Sequence, residues 1–372
     1  MKLFLLTEDL SDGGPIWMNV LWPTVRIYSE CFDLTMLQVP RSGAPRGHGA
    51  LGKFRSWRRI RSQRPVWTSQ VLRELDQAGP NLLLVWARSS KSVSWSHALE
   101  PVWHLFSHRI LHVLDTMQPE HVSVDDLARF DLVTCFCHDL ADAYRKTHHR
   151  PTLFLPEHVD TMAFHNVGDC RPLDLLVVGR REDRYHLPLY THFNAPEQKR
   201  VFVDLATRGQ TPMTREQEFR ILMSAHAKAA AAFCYETAGV PRFRGRSPML
   251  TRWVHAWTSG CTVFGTRPQG GGTGTLMDWP GSTIELPSDE QDAIALVEET
   301  LADKAGMALR RHRNVLESLR RHDTRYRIAQ MLQSLDLPIP APLATGLERL
   351  DALAERLSTG GETSLAAAPR IA

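Results

Sequence analysis

The feature that most constrains this chain is a twice-repeated alternation of short apolar runs with helical segments. In the first series the runs cover residues 3–6, 34–39, 81–87, 109–114, 131–136 and 152–155. Helical patterns fall near 16–29, 68–77, 96–106 and 138–146. In the second series the runs cover 173–178, 201–205, 230–235, 261–265 and 283–286, with helices near 215–225, 247–259 and 289–302. Strands of four to seven residues, apolar on both faces and separated by helices, belong to parallel sheets covered on both sides. At 372 residues the chain is too long for one small core, so two such sheets mean two domains. The polar, Gly- and Pro-containing stretch 165–172 reads as the linker. Two doubly wound domains in tandem are expected to face a ligand cleft with the carboxyl ends of their strands.

From residue 305 the chain reads as helical and basic. Pro338, Pro340 and Pro342 then break it before an amphipathic helix at 343–357. That helix must bury Leu343, Leu347, Leu350 and Leu357, and the N-terminal domain is the expected surface. The Gly, Ala, Ser and Thr after residue 358 read as a disordered tail. No run reaches the ~18–20 apolar residues of a membrane helix, and MKLFLLTED is too short in its apolar part for a signal peptide. The six scattered cysteines are expected as free thiols in the cytoplasm. Cys135 and Cys137 lack a second Cys/His pair at finger spacing, and no metal site is expected there.

A net charge of +3 does not by itself imply a polyanion partner, but the charge is unevenly spread. No acid occurs from Leu34 to Arg73, while Arg58, Arg59 and Arg61 cluster there with Trp57 and Trp67 interleaved. Its first half, broken by Gly and Pro, reads as a loop. The segment is either a solvated basic surface or a site for an anionic acceptor: a phosphorylated molecule, nucleic acid or lipid headgroup.

The chemistry concentrates in Ser247–Arg267, SPMLTRWVHAWTSGCTVFGTR. Ser247 reads as a helix cap with Pro248 in the first turn. Leu250, Trp253, Val254 and Trp257 share one face, and Arg252, His255 and Ser259 the other. Gly260 reads as the left-handed stop before a buried strand. A cationic helix front suits an anion such as a nucleotide diphosphate.

Three stretches together resemble the two-Rossmann-domain glycosyltransferases of the GT-B fold: TLFLPEHVDTMAFH (152–165), LDLLVVGRR (173–181) and RWVHAWTSGCTVFG (252–265). The Arg252, Ala256 and Gly260 pattern is similar to a bacterial branch that includes spore-maturation-type transferases. The resemblance covers most of residues 1–335. It implies an N-terminal acceptor domain (1–166), a C-terminal nucleotide-sugar domain (171–335), a closing helix (336–358) and a tail (359–372). Retaining members of the broader family carry two glutamates separated by seven residues in this region. Here those positions are Ser247 and His255, which leaves stereochemistry and nucleotide preference open.

The expected function is transfer of a sugar from a nucleotide-sugar co-substrate to an acceptor hydroxyl or amine, without metal or other cofactor. No Asp-x-Asp motif lies at a strand end. Donor contacts are expected from Gly179, Arg180, Arg184, Arg246, Arg252, His255 and the Gly-rich loop residues Gly271, Gly272 and Thr273. Acceptor contacts are expected from Gly13, Gly14, Arg58, Arg59 and Arg61. The candidate bases are Asp12, then Asp115. A second reading is a non-catalytic protein that binds nucleotides or nucleic acid on the same scaffold.

Overall fold

The structure, a computed structural model, describes residues 1–8, 21–39, 50–115, 117–205 and 214–366; for 50–61, 215 and 360–366 it describes the backbone alone. The chain forms two compact units. In the first, six strands make one sheet: β1 Lys2–Glu8, β2 Asp33–Val39, β3 Asn81–Ala87, β4 His108–Val113, β5 Leu132–Cys135 and β6 Thr152–Phe154. Their order is β2-β1-β3-β4-β5-β6, and every pairing is parallel. The central strand β3 is buried along its whole length, as its sequence NLLLVWA requires.

The second unit has five parallel strands: β7 Leu173–Val177, β8 Phe202–Asp204, β9 Ala229–Cys234, β10 Thr262–Gly265 and β11 Ile284–Glu285. Their order is β11-β10-β9-β7-β8. Each face carries its own apolar cluster. One is centred on Trp253, Trp257, Phe219 and Val263, the other on Phe193, Phe233, Tyr235 and Phe264. Both sheets reverse their winding direction once, between β1 and β3 in the first and between β7 and β9 in the second. Such switch points open a crevice at the carboxyl ends of the strands.

Several expectations change. From Ala50 onward the basic segment forms the single helix Ala50–Glu74, with Pro65 inside it, where a short helix near 68–77 was expected; residues 40–49, in the half expected as a loop, lie outside the described residues. Lys, Arg, Ser and Gln between Gly52 and Pro65 have adequate helix propensity, and Trp67 and Val71 anchor the far end in the core. The chain enters the second unit at Glu157, ahead of the stretch 165–172 that composition marked as a linker. That stretch is held by Arg171, whose guanidinium donates to the carbonyls of Asn166 (2.9 Å), His226 (3.3 Å), Ala229 (3.2 Å) and Ser259 (2.7 Å). A cation serving helix C-terminal carbonyls needs no carboxylate partner to be satisfied.

The last helix runs Ala341–Ala366, eight residues into the expected tail; residues 367–372 lie outside the described chain. Its Leu350 and Ala354 are buried with Val315 and Leu319, and Leu353 and Leu357 pack on the same cluster. These partners belong to the second unit, while Leu343, at the start of the same helix and also buried, is counted with the first.

The segment after Pro156 is fixed by a buried polar knot. Val159 bridges to Asp323, with Val159 N–H donating to His322 O (3.1 Å) and Thr324 N–H to Val159 O (3.1 Å). Asp323, fully buried, accepts from Thr161 N–H (2.9 Å) and Oγ1 (2.7 Å), and from Arg325 N–H (2.9 Å) and Nη1 (3.0 Å). Asp160 caps the short helix Thr161–Phe164 and receives Arg325 Nη1 at 3.2 Å. Removing one member of such a group strands the others without water. Asp323→Ala is therefore expected to cost about 3–5 kcal/mol, read as a lower urea midpoint at unchanged m-value.

Candidate functional site

The helix singled out by sequence runs Thr251–Thr258 and starts differently from the expectation. Leu250 is its N-cap residue, without a side-chain cap. Ser247 is instead a staple. Its Oγ donates to Glu236 Oε2 (2.6 Å) and accepts from Gln269 N–H (3.2 Å), while its carbonyl accepts from Gly270 N–H (2.8 Å). The helix ends as predicted. Gly260 has φ +75° and its N–H donates to Trp257 O (2.9 Å), while Cys261 N–H donates to Ala256 O (2.8 Å), the pairing of a Schellman stop. A Cβ at 260 would stand 2.4 Å from Asn166 O, so only glycine fits.

Both tryptophans are buried and bonded: Trp253 Nε1 to Thr283 Oγ1 (3.2 Å) and Trp257 Nε1 to Ser282 O (2.6 Å). Trp257 also meets Trp279 edge-on at 4.7 Å. The opposite side is covered too, which overturns the placement of His255 on a ligand-facing front. His255 is 3% exposed, with Phe219 edge-on at 5.5 Å and the His226 ring at 5.9 Å. Phe219 and His226 come from the helix Arg215–Lys228, which lies over the face that periodicity alone assigned to solvent. Burial lowers the His255 pKa to about 3 and that of His226 to about 4.

Arg252 is the cation of this helix. It is partly buried, and its Nη1 donates to Arg180 O (3.2 Å), just past the end of β7. Gly179, at φ +80°, lies over it; a Cβ there would be 3.9 Å from Nη2. Arg180 and Arg242 both stand against the Phe243 ring, at 5.3 and 4.9 Å. Burial is the main cause that lowers the Arg252 pKa to about 10, with Cys234 opposing and Arg180 and Arg242 adding to the shift. At neutral pH the group stays charged, and two of its charged neighbours carry the same sign. An electropositive cluster therefore marks the β7–β9 switch point.

The other expected donor residues divide. Arg184 is exposed and stacks on Tyr185 at 4.4 Å. Arg246 stands in the loop before the helix, where its carbonyl accepts from Thr237 Oγ1 (3.2 Å). Gly272, at φ +73°, caps the short helix Thr273–Leu276. Thr273 is buried, with its hydroxyl used on Pro268 and Gly270 carbonyls. Gly271 is exposed at the crest of this loop. A Cβ at Gly270 would come 2.6 Å from Ser247 O, so the loop is seated on the staple. Gly265, at φ +147°, brings the end of β10 so close to Cys234 O that a Cβ would overlap it at 1.7 Å.

In the first unit, Asp115 lies partly exposed at the bend after β4. His112, on β4, pairs with Thr134 Oγ1 (2.6 Å), and burial lowers its pKa to about 4. Asp12, Gly13 and Gly14 lie outside the described residues, as do the side chains of Arg58, Arg59 and Arg61. Among the described residues no group of three or more His, Cys, Asp and Glu could hold a metal ion.

Two strand-end groups were missed in the sequence. Glu236, two residues beyond β9, carries the Ser247 staple. Asp204, ending β8, holds Arg181 (2.6 Å) and His186 Nε2 (3.1 Å). The usable signal for both was position: an acid at the carboxyl end of a parallel strand, beside the switch point for Glu236 and on the edge strand for Asp204.

No family model matches the chain, and no curated protein matches it in sequence. Solved structures do match in fold. Anabaena HepE in complex with UDP and glucose aligns at TM-score 0.53 and 13% identity, over 90% of this chain and 99% of that one. The N-terminal domain of Candida albicans trehalose-6-phosphate phosphatase aligns at 0.57 and 9%, over 90% and 96%. A Rickettsia africae glycosyltransferase aligns at 0.53 and 9%, over 89% and 97%. The fold is that of the GT-B glycosyltransferases. No described helix is long and apolar enough to cross a membrane.

The buried histidines make stability depend on pH. An unfolded histidine titrates near 6.5, whereas folded His255 and His226 titrate near 3 and 4. Between those values the unfolded chain binds more protons, so stability is full above about pH 6.5 and falls as pH drops, by up to ~1.4 kcal/mol per pH unit for each histidine. His255→Gln is expected to flatten the fall between pH 6.5 and 4, measured by urea unfolding at both pH values.

Proposed function

We propose that this protein is a glycosyltransferase moving a sugar from a nucleotide-sugar donor to an acceptor hydroxyl or amine. The observation that carries the reading is Arg252, a partly buried guanidinium at the β7–β9 switch point with Arg180 and Arg242 as charged neighbours. Arginines gathered beneath a left-handed glycine suit the oxygens of a diphosphate. When the sugar–phosphate bond breaks, negative charge grows on that diphosphate, and fixed cations stabilise the change more than the ground state. The GT-B fold supports the same reading, and the neighbour HepE is in complex with UDP and glucose. Within that fold, the Arg252, Ala256 and Gly260 pattern is our ground for the bacterial branch with spore-maturation-type transferases. A cytoplasmic location, consistent with six free cysteines and testable by cell fractionation, is part of the proposal.

Arg252→Ala removes a charge-assisted contact of about 1.5–3 kcal/mol. Nucleoside diphosphate affinity is then expected to fall roughly ten- to a hundredfold, with nucleoside affinity little changed. The same calorimetry in EDTA should give the parent its full affinity, because in this reading arginines rather than a metal ion meet the phosphates. Unchanged diphosphate affinity in the variant would place the donor elsewhere. Nucleic-acid binding without any diphosphate affinity would favour the non-catalytic reading.

The first unit takes the acceptor in this proposal, with Asp12 as base, Asp115 as second choice, and Gly13, Gly14, Arg58, Arg59 and Arg61 as contacts for an anionic acceptor. Asp12→Asn is expected to lower kcat by the ~10²–10⁴-fold typical of a lost general base. Reversing the three arginines should instead raise KM and weaken its salt dependence. Transfer kinetics on a panel of neutral and phosphorylated acceptors, with Asp115→Asn as the comparison, separates these roles.

A further inference from the structure

The carboxylate of Glu236 has no role in the reading so far. It stands two residues beyond β9, and its two predecessors, Cys234 and Tyr235, lie close enough to Arg252 to influence its guanidinium. It therefore stands at the same switch point as the arginine cluster. Its backbone N–H donates to Thr266 Oγ1 (3.0 Å), which ties it to the end of β10. One carboxylate oxygen, Oε2, accepts from Ser247 Oγ (2.6 Å) and from Ala238 N–H (3.3 Å). Among the described residues no hydrogen bond reaches the other oxygen, Oε1, and no arginine or lysine pairs with this group. The side chain is partly exposed.

The arrangement holds a carboxylate in one orientation with one oxygen bound inside and one left to accept. Ser247 is itself fixed from the far side by Gln269 N–H and Gly270 N–H. A structural ion pair would bring a cation to Glu236, and none is present among the described residues. An ionised carboxylate can only accept hydrogen bonds, so its natural ligand group is a donor. Beside a diphosphate site, the nearest uncharged donors of a nucleotide sugar are the hydroxyls of the two sugars that flank the diphosphate, the N–H groups of the base lying one sugar further away.

We infer that Glu236 is the specificity-determining contact of the donor site, accepting a hydrogen bond through Oε1 from a sugar-ring hydroxyl of the nucleotide sugar. The inference rests on the donor reading above. Ser247 is its positioning residue. The hydroxyl belongs either to the transferred sugar or to the ribose, and the two sources separate in one experiment.

The test is calorimetry of the full chain with UDP, GDP and dTDP and with UDP-glucose, GDP-mannose and dTDP-glucose. The comparison variant is Glu236→Gln. Glutamine can still accept from Ser247 and Ala238 through its oxygen, but it turns an NH2 donor toward the ligand in place of an acceptor. The seat of the glycine-rich loop is thereby kept while the outward chemistry is inverted. The parent should bind one diphosphate and its conjugate, and the variant should lose about tenfold or more in affinity. Loss confined to the conjugate assigns the contact to the transferred sugar; equal loss on both assigns it to the ribose. Should the glutamine variant melt early, Glu236→Asp, which keeps the charge but withdraws the carboxylate, is expected to show the same loss. Unchanged affinities in a folded variant overturn the inference while leaving the donor reading intact. A parent that binds none of the six ligands overturns the donor reading itself.

Discussion

The second unit depends on a carboxylate that never sees water. Asp323 collects four donated hydrogen bonds, two from Thr161 and two from Arg325, and so joins stretches 162 residues apart in sequence. An unpaired ion at that depth would cost more than the fold can spare. Burial raises the Asp323 pKa, and Arg325 opposes the shift. The knot is stable because each charge is met by several directed partners. It sets where the chain enters the unit at Glu157 and where it turns through Thr324, and the five-stranded sheet is framed between those points.

What could be read from the sequence follows physical lines. Parallel strands buried on both faces appear as apolar runs, and all eleven observed strands overlap an expected run. The Gly260 stop was legible because left-handed backbone selects glycine. His255 was misplaced for a different reason. Periodicity reports which residues share a face, but not whether a later-packed helix covers the polar one. Here Phe219 and His226 do so. Ser247 was read as a cap because it precedes an apolar run with proline next. Its actual partners, Glu236 and Gln269, lie eleven and twenty-two residues away, and no local rule reaches them. The last helix was given the right face, but amphipathicity states only that Leu350 must be buried and not against what.

The arginine cluster shows how a site can be pre-built at some expense. Cations gathered near one another repel, and burial disfavours the charged form of Arg252. The cost is borne by rigid surroundings: two bonded tryptophans on the same helix as Arg252, the Phe243 ring against Arg180 and Arg242, and the Arg180 carbonyl that accepts from Arg252. An incoming dianion would relieve that repulsion, so binding and local stabilisation are the same event.

The glycines at the carboxyl ends of the second sheet have a consequence for how this protein can vary. At Gly265 and Gly270 the space a side chain would fill is already taken by neighbouring peptide groups. The rim there is built of main chain against main chain. At those two places the rim offers amide chemistry, common to every amino acid and indifferent to drift at the positions around it. Two sequences could share almost nothing along this rim and still offer the same surface, provided those two places stay bare. Low identity across a shared architecture is what such construction permits.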